Sequence, residues 1–358
     1  MKGRSSMRVR EFEPGEFQAS SDGPVRPGQG DRTSDPGVDR FLAPDHPFLR
    51  IGTWRAFVAG VGGSRVRLVA SLDPRQRVGA GSVGAIGFIA AGDLREPMTG
   101  AALRSALEAA EAWIAAAGAT VARCPVQFST WYGHRTVTGG LPGEGGAAPF
   151  PMEPAASPGL AATLVATGFT VAHRAASYRV AVDTWIRGAC RSEERMRDAG
   201  YRDRPIRPER IDDELAAVHA ISMASFRRSW GFSDITFDEF ATIYRPLASL
   251  IDPGLARIVE SPDAEPVGFL FAFPDPATRP GHPDARFVGK TVAVLPEVRR
   301  ATPGVGTGLT VAVHRAAAAR GYATAIHALV AEGAYSQRVS ARWGQRFRSY
   351  ATFEKVLS

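Results

Sequence analysis

The chain has 358 residues, 44% of them hydrophobic, which is enough for two domains and too apolar for a chain disordered throughout. Its formal charge of +7, 43 Lys+Arg against 36 Asp+Glu, is carried by arginine, since only Lys2, Lys290 and Lys355 are lysines; the arginines are scattered with no basic helical stripe, so nucleic acid is not an expected partner. Cys124 and Cys190 are too few for a disulfide scaffold or a zinc–cysteine cluster, and no apolar run reaches the roughly 18 residues of a membrane span.

Residues 1–40 are rich in Gly, Pro, Ser, Asp and Arg, carry no apolar core of a secretory signal, and are expected to be a disordered tail. The expected location is the reducing cytoplasm, with no membrane partner. From Phe41 to residue 185 the pattern predicts an α/β unit. Residues 55–60 and 65–72 read as neighbouring strands around a Gly62–Gly63 turn, and the apolar run 84–91 reads as a buried strand. A helix capped by Thr99 follows, with Leu103, Leu107, Ala110 and Ile114 on one face and Gly118 as its stop. Residues 120–126 read as a strand, 139–158 as a Gly/Pro-rich loop, 159–169 as a short helix and 176–185 as a closing strand. The arginine-rich segment 186–207 reads as a solvated helix and linker.

The second unit, 208–358, repeats this order. Two helices (211–230, and 236–251 with a Thr236/Glu239 capping box) precede strands at 256–261, 266–275 and 289–296. A helix (309–321), a strand (322–330), a helix (336–344) and a final strand (350–357) complete it. The fold class is α/β (α+β), each unit a mixed, mostly antiparallel twisted sheet flanked by helices. The two units read as a degenerate internal duplication.

The chemistry concentrates after the strand ending at Leu295. Pro296, Arg299 and Arg300 precede Gly304-Val305-Gly306-Thr307-Gly308 and a helix. Closely spaced glycines at a helix start let amide hydrogens converge beside a positive dipole, which makes an anion cradle flanked by arginines. A P-loop would need Lys-Ser/Thr where Leu309-Thr310 stands. A dinucleotide fingerprint would need different glycine spacing and an acidic residue near position 327.

"VAVLPEVRRATPGVGTGLTVAVHRAAAARGY" resembles the coenzyme A pyrophosphate motif of the GNAT acetyltransferases, and the rest of the second unit follows the order of that family. The first unit, through "GFIAAGD", "AEAWIAAAGAT", "CPVQFSTWYGHR" and "GLAATLVATGF", resembles the amino-terminal half of tandem GNAT proteins. With Arg95-Glu96-Pro97-Met98 after "GFIAAGD", it lacks a glycine cradle of its own. The resemblance implies two GNAT-like domains in tandem and an acyl-CoA, acetyl-CoA first, as co-substrate without a metal. It further implies attack on the thioester by the amine of a small molecule, in a monomer or homodimer.

In that frame the backbone of Val292, Ala293 and Val294 would hold the pantetheine arm, and Gly304, Val305, Gly306, Thr307 and Gly308 would cradle the pyrophosphate. Arg299 and Arg300 would neutralise its charge. His327, Glu332 and Tyr335 are the candidates for proton transfer. Trp230, Phe232 and Asp234, in the loop between the two helices, are the candidates for acceptor binding. Trp131, Tyr132, His134 and Arg135 crowd together either as a pocket wall or as a structural corner. His314 reads as a surface residue and Cys124 as a buried apolar cysteine rather than a nucleophile paired with His134. This sequence departs from the family pattern in four places: Gly304 stands four positions after Arg300 where the family usually has three, Pro303 lacks an N–H, Gly333 stands where Asn is frequent, and Ser340 stands where a tyrosine acid is frequent. A catalytically weak acyl-CoA-binding module and a transferase for RNA-linked aminoacyl substrates are the alternative readings.

Overall fold

The computed structural model describes residues 8–19, 40–60, 64–140, 148–154, 157–282 and 284–357; the Gly62–Gly63 turn, most of the tail and part of the 139–158 loop lie outside them. The first half runs β1 (Val9–Phe12), α1 (Pro14–Ala19), β2 (Thr53–Ala59), β3 (Val66–Val78), β4 (Gly81–Ala91), α2 (Pro97–Ala116), β5 (Ala119–Cys124), β6 (Thr136–Gly139), α3 (Leu160–Ala166), β7 (Thr170–Ala181) and α4 (Val182–Asp198). The second runs β8 (Arg202–Pro205), α5 (Ile211–Phe226), α6 (Phe237–Tyr244), β9 (Arg257–Glu260), β10 (Pro266–Pro274), β11 (Arg286–Val294), α7 (Pro296–Ala301), α8 (Val305–Ala318), β12 (Thr324–Ala331), α9 (Tyr335–Trp343) and β13 (Gly344–Val356).

The strands form one long mixed sheet ordered β1-β2-β3-β4-β5-β13-β7-β12-β11-β10-β9-β8, with β6 beside β13. The two halves trade their last strands. β7, from the first half, pairs with β12 of the second (Ile326↔Arg179), while β13, from the second, pairs with β5 of the first (Phe353↔Cys124). The two traded strands pair with each other along Gly344–Glu354. Each half therefore completes its sheet with a strand that the other supplies. Tyr350 and Phe353 of β13 are buried, and Phe353 packs into the first half's core with Ile86, Leu107 and Phe169.

Three expectations need correction. The tail is not disordered throughout, because β1 adds to β2 with Val9 opposite Ala59 and Phe12 opposite Ala56. Helix α2 starts at Pro97 rather than at a Thr99 cap, and Thr99 is buried inside it. Proline suits that first turn, where its missing N–H has no acceptor to lose. The segment 186–207 is not a solvated linker. Val182, Trp185, Ala189, Glu193 and Met196 form a buried stripe at helical spacing, and α4 packs on α8 through it. Its arginines cover the solvent face. β8 then pairs with β9 at the far edge of the sheet. The closing strand is accordingly β7, ending at Ala181, and Trp185 is a helical core residue.

A second core joins the halves directly: Phe41, Phe48, Phe128 and Tyr132 meet Leu215, Ile235, Phe240 and Ile243. The Thr236/Glu239 capping box forms as expected, and the Glu239 carboxylate also takes two hydrogen bonds from Arg75 of β3 (2.7 and 3.0 Å). The Tyr132 hydroxyl donates to Glu239 as well (3.1 Å).

The 148–154 segment is held to the sheet by a buried ion pair. The Glu153 carboxylate accepts from Arg348 and from the Tyr350 hydroxyl, while Arg348 also donates to the Gly140 carbonyl (3.0 Å). Both charged side chains are almost wholly buried, 0% exposed for Arg348 and 2% for Glu153. Glu153→Ala strands the guanidinium in the interior and is expected to cost about 3–5 kcal/mol in denaturant unfolding. A loss below about 1 kcal/mol would show that water or a neighbour satisfies Arg348 instead.

Candidate functional site

β11 and β12 start as a regular parallel pair and then part. Their register runs from Arg286↔Thr324 to Gly289↔His327 and stops, although β11 continues to Val294 and β12 to Ala331. A bulge marks the parting. Across β10, Thr291 lies opposite Phe271 and Gly289 opposite Ala272, which leaves Lys290 with no cross-strand partner. On the other strand the pairing of β12 with β7 breaks between His327 and Val330, and Leu329 takes a left-handed φ of 56°. Its N–H donates to Ser177 Oγ (3.0 Å), and its carbonyl accepts from Arg135 (2.8 Å).

The parted strands open a cavity of about 1370 Å³ lined by both halves. The Leu295 N–H donates to Val267 on β10 (2.9 Å), so strand alternation turns the backbone groups of Val292 and Val294 away from β10 and into the gap. The Val294 carbonyl is already taken by Ser225 Oγ of α5 (3.1 Å). Val292 is among the exposed large hydrophobic residues.

At the mouth of this gap lies the start of α8. Gly304 is its N-cap with φ 105°, a conformation that only glycine adopts without strain, and no side chain caps the helix. The first intrahelical bond is Gly308 N–H to the Gly304 carbonyl (2.8 Å), so the amides ahead of Gly308 have no acceptor within the helix. A Cβ on Gly306 would meet Val294 Cγ2 at 3.4 Å and Val292 Cγ2 at 3.8 Å, which places Gly306 over the parted strand. Thr307 and Arg299 line the same cavity.

Two of the expected residues, Gly308 of the cradle and Arg300 of the counter-charges, do something else, and Val305 has only its amide to offer. The Val305 side chain is core. Gly308 is buried against α4, where a Cβ would stand 2.7 Å from the Ser192 carbonyl; its lack of a side chain serves helix packing. Arg300 is exposed and does not line the cavity. Arg195 of α4 stands near Gly304, 3.4 Å from where a Cβ would be, and donates to Ser192 Oγ (3.0 Å). It was not foreseen, because its segment read as a linker.

The candidates for proton transfer divide. His327 is buried. Its Nδ1 lies 2.9 Å from Ser340 Oγ and its Nε2 3.3 Å from Nε2 of His314, whose Nδ1 lies 2.7 Å from the Thr310 carbonyl. A carbonyl only accepts, so His314 carries its proton on Nδ1 and accepts at Nε2. His327 then donates from Nε2 and accepts the Ser340 hydroxyl at Nδ1. Burial pushes His314 down to about 4, and His327, with His314 beside it, well below the usual imidazole value. Both are neutral at physiological pH. His314 is thus no surface residue: it stacks on Trp185 in the core under α8. Glu332 and Tyr335 lie at the exposed rim of the cavity, Glu332 3.9 Å from Arg174.

On the acceptor side, Trp230 and Phe232 line the cavity, and Asp234 is exposed outside it. Trp230 stacks on His173 of β7, with rings 5.0 Å apart and 4° from parallel, and Arg123 of β5 lies 4.5 Å from its ring centre. A second-half loop is thereby clamped by two first-half strands. Trp131, Tyr132, His134 and Arg135 all face the same cavity, while Trp131 also fixes the loop through its Nε1–H to the Ser233 carbonyl (2.8 Å). Besides Arg195, sequence reasoning missed Lys290, whose signal was a lone lysine within an apolar strand. Cys124 is fully buried, and burial pushes its thiol up beyond reach of a nucleophile's role. Among the described residues there is no group of three or more His, Cys, Asp or Glu side chains able to hold a metal, and no helix long and apolar enough to cross a membrane.

No family model and no curated protein matches this sequence. Solved structures do. A GCN5-related N-acetyltransferase from Sphaerobacter thermophilus is 14% identical with a TM-score of 0.51, over 99% of this chain and 96% of that one. A tandem GNAT protein from the clavulanic acid biosynthesis pathway is 12% identical with a TM-score of 0.50, over 98% and 99%. A GCN5-related glucosamine N-acetyltransferase region of a fungal multi-domain β-N-acetylglucosaminidase is 12% identical with a TM-score of 0.55; it covers 99% of this chain, which spans only 38% of that longer protein. Over nearly its whole length the chain has the fold of a tandem GNAT protein.

Proposed function

We propose that this chain, with its tandem GNAT fold, is an acyl-CoA-dependent N-acyltransferase that acts on a small-molecule amine, with acetyl-CoA as the first co-substrate to test. The observation that carries this reading is the parting of β11 from β12 at Gly289/His327, with the uncapped start of α8 at its mouth. The parted edge offers the backbone of Val292 and Val294 to an extended amide-bearing arm, as an added strand would be held. The amides of Val305, Gly306 and Thr307 suit a diphosphate, with Arg299 and Arg195 as counter-charges. The amine nitrogen forms the new bond to the thioester carbon as the carbon–sulfur bond breaks. The Val294 N–H is the donor in reach of the carbonyl oxygen as it gains charge. Water and the rim groups Glu332 and Tyr335 are the route by which the amine loses its proton, and the thiolate takes one up.

His327 serves this reading as a buried neutral group that positions Ser340. Both of its ring nitrogens are engaged, which also favours the second reading, a module that binds acyl-CoA without turnover. Calorimetry with acetyl-CoA separates binding from its absence, and thiol release with an amine panel separates the two readings. Gly306→Asp places a carboxylate at the second helical position, where it suits the helix dipole and leaves folding intact but repels a diphosphate. It is expected to weaken acetyl-CoA binding about tenfold or more. Unchanged affinity in this variant, or no binding of any acyl-CoA by the parent protein, would remove the proposal.

A further inference from the structure

The cavity wall carries a marked charge imbalance. Its lining includes six cationic side chains (Arg40, Arg67, Arg135, Arg228, Lys290 and Arg299) against two carboxylates, Glu153 and Glu332. Neither carboxylate is available to the inner end of the cavity: Glu153 is bound by Arg348 and Tyr350, and Glu332 sits at the rim near Arg174. Two of the cations stand where β11 and β12 part. Lys290 is the bulge residue itself, and it has no hydrogen-bond or ion-pair partner among the described residues. Arg135 is tethered by one terminal nitrogen to the Leu329 carbonyl on the facing strand and by the other to Nε2 of the neutral His134, its buried Nε is unsatisfied, and no carboxylate pairs with it among the described residues. His134 and His173 stand beside them. Burial, with Arg135 nearby, lowers the Lys290 ammonium to about 8, and burial first, then Arg135 and its neighbours, holds His134 well below the usual value.

Lys290 and Arg135 are both partly enclosed; a cation drawn out of bulk water without a counter-ion is costly, and two of them facing one cavity form a half-built ion pair. Arg299 stands at the other end, by the start of α8, and belongs with the diphosphate. Lys290 and Arg135 stand at the point of parting, beyond the strand edge assigned to the pantetheine arm, between it and the Trp230–His173 wall. The anion they lack is therefore carried by the acceptor.

We propose that the acceptor amine bears an oxyanion group, a carboxylate or a phosphate, that Lys290 and Arg135 bind at the inner end of the cavity, with its remainder against Trp230. This deepens the acyltransferase reading and rests on it for the word acceptor; the anion site itself stands on the cations alone. Amines of equal size that lack the oxyanion are then poor ligands, because they leave both cations without a counter-ion.

The test uses the full-length protein and two matched pairs, tyrosine with tyramine and phosphoethanolamine with ethanolamine. Each pair is measured by calorimetry without acyl-CoA and by KM and kcat with acetyl-CoA. The expected result is that the oxyanion-bearing (below, anionic) member of one pair binds at least about tenfold more tightly than its partner, a plain ammonium without an oxyanion. Whichever pair shows the difference identifies carboxylate or phosphate as the source. Lys290→Met should abolish that preference by raising KM for the anionic member alone, and Lys290→Arg should restore part of it. A thermal melt of Lys290→Met at or above the parent's excludes misfolding as the cause, since the variant removes a partly enclosed charge that has no counter-ion. Equal binding of both members of both pairs overturns the proposal. So does an equal fall of kcat for amines with and without the oxyanion in Lys290→Met, which would assign the lysine to the reacting thioester. If the anionic amine binds and Lys290→Met loses it while no acyl-CoA binds, the anion site survives and the acyltransferase reading fails. If acetyl-CoA binds and amines without the oxyanion turn over as well as those that carry it, the reverse holds.

Discussion

A chain ending at Trp343 is expected to lose structure in both halves and not only in the half to which the deleted residues belong. The deletion removes β13, the strand between β5 and β7. β5 then loses the partner facing Phe353 to Val356, and β7 loses its pairing from Gly344 to Glu354. Two edges open in the middle of the sheet, each a row of unpaired amides and carbonyls. The first half also loses Phe353 from its core, and Tyr350 leaves the buried cluster around Val137 and Ala175. Phe353→Ala is the milder form of the same test. A fully buried phenylalanine truncated to alanine costs about 3–5 kcal/mol. Because the strand is shared, that loss should appear as a shift of one cooperative transition, with amide protection falling in β5 and β7 alike. Two separate transitions, of which one is unmoved by Phe353→Ala, would show that the halves fold independently despite the traded strands.

The second large effect is on acid stability. His46 and His314 are both buried and both held near 4, in each case by burial first. His46 is further committed to its neutral form because its Nδ1 accepts the Phe48 N–H (3.2 Å). The unfolded chain binds these protons at about 6.5 and the folded chain only near 4. The stabilisation is therefore complete above pH 6.5, declines as pH falls through the interval, and is gone below 4. At about 1.4 kcal/mol per unit, each of the two contributes on the order of 3 kcal/mol, and His327 acts in the same direction. Together they are comparable with the whole net stability of a typical domain. Denaturant midpoints measured from pH 7.5 down to 4.5 should fall steeply below 6.5. His46→Asn, which keeps an acceptor but cannot charge, should flatten that profile; a profile already flat in the parent protein would mean that these rings are hydrated and titrate normally.

Much of the fold and part of the site were legible in the residues. Leu103, Leu107, Ala110 and Ile114 announce α2, Thr236 and Glu239 announce the start of α6, and Gly304, Gly306 and Pro296 announce the turn into α8. All of these depend on interactions within a few residues, which local periodicity and backbone preference report directly. The arginine-rich helix α4 was hidden because its charged face outweighs, in composition, the five buried positions that seat it on α8.

What the sequence determined by itself is therefore local: the elements, their approximate order, and the amide-rich turn after Pro296. Only the tertiary structure decided that β7 and β13 change places, because strand order depends on pairing between residues about 170 positions apart, such as Ser177 and Arg348. It alone decided that Gly308 serves helix packing while Gly306 faces the gap, that Asp234 points to solvent, and that His314 is interior. It alone brought Lys290 of one half to Arg135 of the other. Charge that is spread evenly along a chain becomes a directed field only when folding removes the water between the groups, and the sequence holds no trace of where that happens.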